Sequence, residues 1–197
     1  MIVLYTGTPG SGKSLHAAYQ LIDYLYSGFN VIGNFPIDAG YFKKRPKGTY
    51  YYCENKNLTV KNLKQFAKEH HVAFKEHQTL LIIDECGMLF NPRAWNNSDR
   101  MDWLTFFSQH RKLGYEILLI AQMDKQLDKQ ILGQIEEEHK HRSVRNYKWF
   151  GKLLSFITGG LFLDITYWYP CRLKIGSSFF RYSPRKAKLY DTYQLFE

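Results

Sequence analysis

The segment Gly7-Thr8-Pro9-Gly10-Ser11-Gly12-Lys13-Ser14 constrains this chain more than any other stretch of it. It matches GxxxxGK(S/T) in full, and its flanks have the required character. Before it, Ile2 to Tyr5 is a short apolar run that reads as a buried strand. After it, Leu15, Ala18, Tyr19, Ile22, Leu25 and Tyr26 recur at spacings of three and four, with Gly28 where a helix C-cap glycine belongs. A strand, a glycine-rich turn and a helix in this order make a phosphate cradle. The glycines let backbone N–H groups turn inward around phosphate oxygens, and the helix N-terminus presents its positive dipole end. Lys13 is expected to reach the β and γ phosphates and Ser14 to ligate Mg²⁺. The expected cofactors are therefore ATP and Mg²⁺, with nucleotide contacts from Gly7, Thr8, Pro9, Gly10, Ser11, Gly12, Lys13, Ser14 and Leu15.

Leu80 to Ile83 is fully apolar, as a strand covered on both faces of a parallel sheet would be, and it ends in Asp84-Glu85. Asp84 is placed to hold the magnesium shell, and Glu85 to orient and activate water for in-line attack on the γ-phosphate. About 70 residues separate the two motifs. That spacing leaves room for a further strand and favours the additional-strand class of P-loop ATPases. Ile117 to Ala121 is another buried strand, and Gln122 at its end is a candidate sensor of the γ-phosphate or the attacking water. Arg93, Arg100 and Arg111 are candidates for a charge-neutralising finger supplied across a subunit boundary.

The remaining pattern alternates strand and helix, so right-handed crossovers and a mostly parallel sheet are expected. Phe29 to Asn34 and Thr49 to Cys53 read as strands. Val60, Leu63, Phe66 and Ala67 mark one helix, and a second runs from Ser98 or Asp99 to about Leu113, closed by Gly114. Asp128 to about Lys140 reads as a helix with Glu136, Glu137 and Glu138 on a solvated end. Thr166 to Lys174 and Phe179 to Tyr182 read as an edge hairpin, turning at Gly176, Ser177 and Ser178. The expectation is a three-layer α/β P-loop fold in one domain over 1–197, with a core of about 1–150 and a β-rich appendage from about 151.

With 45% hydrophobic and 17% aromatic residues among 197, disorder is disfavoured. The 27 lysines and arginines outnumber 18 acids by nine, which points to an anionic partner. Nine basic and two acidic residues lie between Lys43 and Lys75, and six basic and no acidic ones between Arg172 and Lys188. Three widely spaced cysteines give neither a disulfide framework nor a CxxC knuckle. His70, His71, His77, His139 and His141 show no metal-ligand spacing. Leu153 to Leu163, the longest apolar stretch, has 11 residues against the roughly 20 of a membrane-spanning helix. It fits a core helix, a hairpin or a lipid-facing patch equally well.

Three elements together resemble the zonula occludens toxin (Zot) family: the Ile2 to Ser14 strand and loop, the Asp84-Glu85 strand, and Ser108-Gln109-His110-Arg111-Lys112-Leu113-Gly114 leading into Ile117 to Gln122. Lys188-Leu189-Tyr190-Asp191-Thr192-Tyr193 is also similar to the close of that family's cytoplasmic domain. The resemblance implies an ATPase of filamentous-phage assembly, acting at the cytoplasmic face of the host inner or plasma membrane to extrude the virion with its single-stranded DNA. It implies a homo-oligomeric ring, phage DNA or coat and assembly proteins as partners, and membrane contact through a segment not present in this chain. It also ranks Arg111 first among the arginines, although Lys112 stands where the family pattern often has a second histidine. Two other readings fit the loop: a nucleoside or nucleotide kinase, and a membrane-side scaffold that binds nucleotide without turnover. The missing CxxC zinc lobe speaks against the first, and the intact Lys13, Ser14, Asp84 and Glu85 against the second.

Overall fold

A computed structural model of the chain describes residues 1–93, 97–147, 149 and 157–190. Among the described residues, eight strands form one sheet: β1 (Ile2–Thr6), β2 (Asn30–Gly33), β3 (Tyr50–Tyr52), β4 (Thr79–Ile83), β5 (Tyr115–Ile120), β6 (Glu137–Ser143), β7 (Leu161–Trp168) and β8 (Leu173–Arg181). Their spatial order is β3-β2-β4-β5-β1-β6-β7-β8. Every neighbouring pair from β3 to β6 is parallel, whereas β6, β7 and β8 form an antiparallel meander. β5 lies between β1 and β4, so the expected additional strand separates the two motif-bearing strands.

Helices cover both faces of the parallel part. On one face α1 (Lys13–Ser27) buries Ala17, Ala18, Leu21, Ile22 and Leu25 against Val3, Tyr5, Leu80, Ile82 and Ile120. On the other, α2 (Val60–His70) and α3 (Asn97–Gln109) pack Leu63, Ala67, Trp103, Phe106 and Phe107 against Leu4, Leu81, Ile83 and Leu119. Alternate residues of one strand thus feed two cores, which is why β4 is apolar throughout and buried at all five positions. Gly28 ends α1 at φ +94°, and its N–H reaches the Leu25 and Tyr24 carbonyls in a left-handed cap that a Cβ would strain.

Three expectations are corrected. Asp128 to Lys140 is not one helix: a short α4 (Lys129–Leu132) gives way to β6, which extends the sheet beside β1. Glu138 is then buried rather than solvated. Its carboxylate accepts from Thr6 Oγ1 at 2.6 Å and from Arg172 at 3.1 Å, and pairing of this kind makes a polar strand tolerable inside a sheet. The hairpin turns at residues 169–172, not at Gly176 to Ser178, which lie within β8. Pro170 explains the shift, because it lacks the N–H that a ladder needs. Of the Leu153 to Leu163 run, residues 161–163 open β7 and residues 153–156 lie outside the described residues. So does Asp191 to Tyr193; before it, α5 (Pro184–Ala187) leads into Leu189 and Tyr190, both buried against the α1 face.

Candidate nucleotide site

β1, β4 and β5 run parallel, so the residues that follow them emerge at one edge. Gly7, Asp84 and Gln122 meet there, with the Gly7 N–H donating to the Gln122 carbonyl at 3.2 Å. A cleft of about 1000 Å³ opens at this edge, lined by the loop from Pro9 to Leu15 together with Asp84, Glu85 and Gln122. The loop that forms its floor depends on its glycines. Gly7 (φ +144°) and Gly12 (φ +96°) have backbone conformations that L side chains rarely adopt. A Cβ on Gly7 would also stand 2.5 Å from the His141 carbonyl oxygen, and one on Gly12 2.8 Å from the Phe162 ring.

Lys13 is buried, and its Nζ donates to the Gly7 carbonyl at 2.7 Å and the Thr8 carbonyl at 3.3 Å. Burial lowers its pKa, while the nearby Asp84 and Glu85 charges pull it back up. The ammonium is therefore held above its own loop, where phosphate oxygens can replace the two carbonyls. Ser11 Oγ is buried with no hydrogen-bond partner among the described residues. An orphan hydroxyl inside a ring of left-handed glycines is a cradle that fits a phosphate.

Asp84 is 6% exposed. Burial is the largest influence on its carboxyl and pushes the pKa up to about 6. The Glu85 N–H, Lys13 and the Ser14 hydroxyl hold it down, whereas the Glu85 charge adds to the rise. The Glu85 N–H donates to its Oδ1 at 2.8 Å, and the Tyr190 hydroxyl donates to its Oδ2. Asn34, which follows β2, fixes the end of β4: its Nδ2 donates to the Asp84 carbonyl at 2.9 Å and its Oδ1 accepts from the Asp84 N–H at 2.7 Å. Glu85 itself sits at φ +45°, a left-handed conformation costing about 1–2 kcal/mol outside glycine. It lines the cleft on one side and, on the other, a second cavity shared with Arg93, Lys125 and Gln126.

Lys13, Ser14, Asp84, Glu85 and Gln122 thus line one cleft, as their positions in the sequence suggested. Arg111 does not. It pairs with Glu136, whose other oxygen accepts from the Ile2 N–H at 3.1 Å. Ile2 opens β1 and the phosphate loop follows its far end, so Arg111 lies at the opposite edge of the sheet and cannot serve this chain's own nucleotide. Arg100 pairs with Asp128 at 2.9 Å, which leaves Arg93 as the exposed arginine beside Glu85. Sequence reasoning missed Asn34 and the contact that Tyr190 makes. The latter had a signal in the family-like tail, the former none. The basic cluster of residues 172–188 is partly spent within the fold: Arg172 pairs with Asp124 and Glu138, and Lys186 and Arg185 lie over the Tyr19 and Tyr41 rings.

A family model described as Zonular occludens toxin (Zot) matches residues 1–150. The chain belongs to the Zot family. Among sequence relatives, the Gene 1 protein of Enterobacteria phage M13 is 28% identical over 167 residues, covering 80% of this chain and 47% of that protein. The Gene 1 protein of Salmonella phage IKe is 27% identical over 167 residues, covering 81% and 45%. This Zot-family chain therefore spans about half the length of the curated relatives it matches. Among solved structures, the N-terminal domain of zonular occludens toxin from Neisseria meningitidis superposes with a TM-score of 0.60 at 18% identity, over 96% of this chain and 98% of that one. The DNA-packaging ATPase B204 of Sulfolobus Turreted Icosahedral Virus gives 0.56 at 18% identity, over 88% and 95%. The ATPase domain of G40P gives 0.60 at 9% identity, over 94% and 82%. The fold is that of the P-loop ATPases.

Proposed function

We propose that this Zot-family chain is an ATP-hydrolysing motor for the assembly and export of filamentous phage. One observation carries the reading: Lys13, Ser14, Asp84, Glu85 and Gln122 converge on one cleft, although 109 positions separate Lys13 from Gln122. Ser14 and Asp84 would hold Mg²⁺, which supplies charge neutralisation at the phosphates. Lys13 exchanges its loop carbonyls for phosphate oxygens. Glu85 orients the attacking water and takes its proton, and the Gln122 side chain reads whether a γ-phosphate is present. Tyr190 leaves the Asp84 oxygen as the site fills.

The kinship with Gene 1 proteins of filamentous phages supports phage assembly as the setting. The likeness to the packaging ATPase supports a motor, with phage single-stranded DNA or coat and assembly proteins as the moved object. Assembly into a homo-oligomeric ring would let an arginine complete the neighbouring site, and Arg93, exposed beside Glu85, suits that role better than Arg111. The proposed location is the cytoplasmic face of the host inner or plasma membrane. No helix of the described residues is long and apolar enough to cross a bilayer. The test is steady-state ATP hydrolysis against protein concentration, with and without single-stranded DNA, for wild type and Glu85→Gln. Turnover that rises with concentration and is lost in the variant supports the motor. Nucleotide binding without turnover at any concentration would overturn it in favour of a scaffold, and phosphoryl transfer to a nucleoside in favour of a kinase.

A further inference from the structure

Behind the phosphate loop lies a second cluster that the nucleotide chemistry does not use. The parallel pairing of β1 with β6 sets Tyr5 beside His139, and the antiparallel pairing of β6 with β7 sets His141 beside Asp164. Residues 139 and 141 alternate onto one face of β6, the face that α1 covers. His16, three residues after Lys13 on α1, completes the group. The Tyr5 ring lies 4.9 Å from that of His16, 5.2 Å from His139 and 4.6 Å from His141.

The hydrogen bonds leave donor atoms unused. His141 Nδ1 lies 3.0 Å from the His139 carbonyl, which can only accept, so this nitrogen carries the proton. His141 Nε2 therefore accepts from His16 Nδ1 at 2.8 Å, which leaves the other ring nitrogen of a neutral His16 as a bare lone pair. His139 Nδ1 faces Asp164 Oδ2 at 2.7 Å. Asp164 is 2% exposed, yet its Oδ1 has no partner among the described residues, and neither has the buried Tyr5 hydroxyl. A buried carboxylate oxygen without a donor is costly enough that proteins normally satisfy it.

We infer that this pocket is a binding site for a divalent transition metal, zinc being the ion its donors fit, with His16, His139 and Asp164 as the ligands. One donor atom from each of the three lies within 4.8 Å of the other two. Three atoms so placed are no more than about 2.8 Å from a common centre. Closing to the 2.0–2.1 Å of zinc–nitrogen and zinc–oxygen bonds takes a movement of about 0.7 Å or less from each. Imidazole and carboxylate together suit zinc, whereas magnesium and calcium take oxygen alone. Bound there, the ion ties the first turn of α1, and with it the phosphate loop, to β6 and β7.

The test uses the full chain, stripped by a chelator and titrated with Zn²⁺ alone, without nucleotide or Mg²⁺, and read by calorimetry. Co²⁺ replaces zinc as a spectroscopic probe of imidazole ligation. The expected result is one ion per chain and a rise in Tm on the order of 10 °C at saturation. Asp164→Asn and His139→Gln are each expected to weaken binding on the order of 100-fold or more, while Asp84→Asn keeps it. No binding by wild type overturns the inference whatever the variants do. So does unchanged binding in a folded Asp164→Asn or His139→Gln, or loss of the ion in Asp84→Asn, which would put the metal at the phosphate loop instead.

Discussion

The nucleotide cleft and the histidine pocket stand one helical turn apart on α1, and burial moves an acid of the one and bases of the other in opposite directions. In the cleft it raises an acid: the Asp84 carboxyl is pushed up to about 6. In the pocket it lowers bases, His16 to about 4 and His141 to about 3. In both places desolvation penalises the charged form, and the residue type decides which form that is. The cleft is open and keeps its charges matched by exchangeable partners, the loop carbonyls under Lys13 and the Tyr190 hydroxyl on Asp84. The pocket is packed with aromatic rings, Phe180 lying 4.8 Å from His16 and Phe162 5.3 Å from Phe180. An exchanging site suits turnover, and a packed one suits a resident group.

Glu85→Gln should separate the two regions most sharply. If Glu85 takes the proton of the attacking water, the variant retains nucleotide and loses on the order of 10²–10⁴-fold in kcat. His139→Gln in the pocket should cost less than about tenfold, since it touches no reacting atom. Equal losses in single-turnover assays would show that the two regions act as one.

Gly7→Ala strikes where the regions touch. The added methyl meets the His141 backbone oxygen at 2.5 Å, in a conformation that already disfavours a side chain. Either the loop or β6 must move, and a loss on the order of 2–4 kcal/mol in denaturant unfolding is expected. If stability is unchanged, the loop and β6 are not packed as tightly as this contact requires.

How much of each region could be read from the chain follows from how it is built. The cleft's floor is eight consecutive residues, and its carboxylates and amide end apolar runs, so local pattern and parallel topology sufficed to bring Lys13, Asp84, Glu85 and Gln122 together. Arg111, a candidate finger for a neighbouring subunit's site, lies at the other edge of the sheet, where Glu136 pairs with it. The pocket draws on residues 16, 139, 141 and 164, which meet only because β6 is a strand. Glu137 to Arg142 has no apolar residue to show a period, and pairing with β1 and β7, not propensity, decides its form. A helix over Asp128 to Lys140 would not bring His139 and His141 onto one face with Asp164.

Asp84→Asn tests whether burial sets the cleft's electrostatics. The folded pKa of about 6 exceeds the ordinary 3.8, so between these values the folded state binds more protons than the unfolded one. The contribution of Asp84 to stability is then greatest below about pH 4 and falls as pH rises to about 6, above which the full cost of an ionised, buried carboxylate remains. The shift corresponds to about 3 kcal/mol at most. Relative to wild type, the variant should gain on the order of 2 kcal/mol between pH 4 and pH 8, read from paired denaturation curves at the two pH values. Comparing the two curves cancels pH-independent losses, such as a hydrogen bond from Tyr190 or Glu85 that the amide accepts less well. A difference that does not change with pH would mean that Asp84 is solvated well enough to keep its ordinary pKa.

The smallest expected effect belongs to Arg111→Ala. Its side chain is half exposed and pairs with a Glu136 carboxylate that also accepts from the Ile2 N–H, so removing it leaves that acid a backbone donor. Exposed pairs of this kind contribute about 0–1 kcal/mol, and the variant should lose no more than that in unfolding experiments. It should leave turnover unchanged at every protein concentration, because Arg111 lies at the sheet edge away from the cleft. Arg93→Ala should behave differently: if Arg93 completes a neighbour's site, the rise of turnover with concentration disappears while the low-concentration rate stays. The opposite pattern, with Arg111→Ala abolishing that rise, would show that subunits meet through the edge where β1 begins.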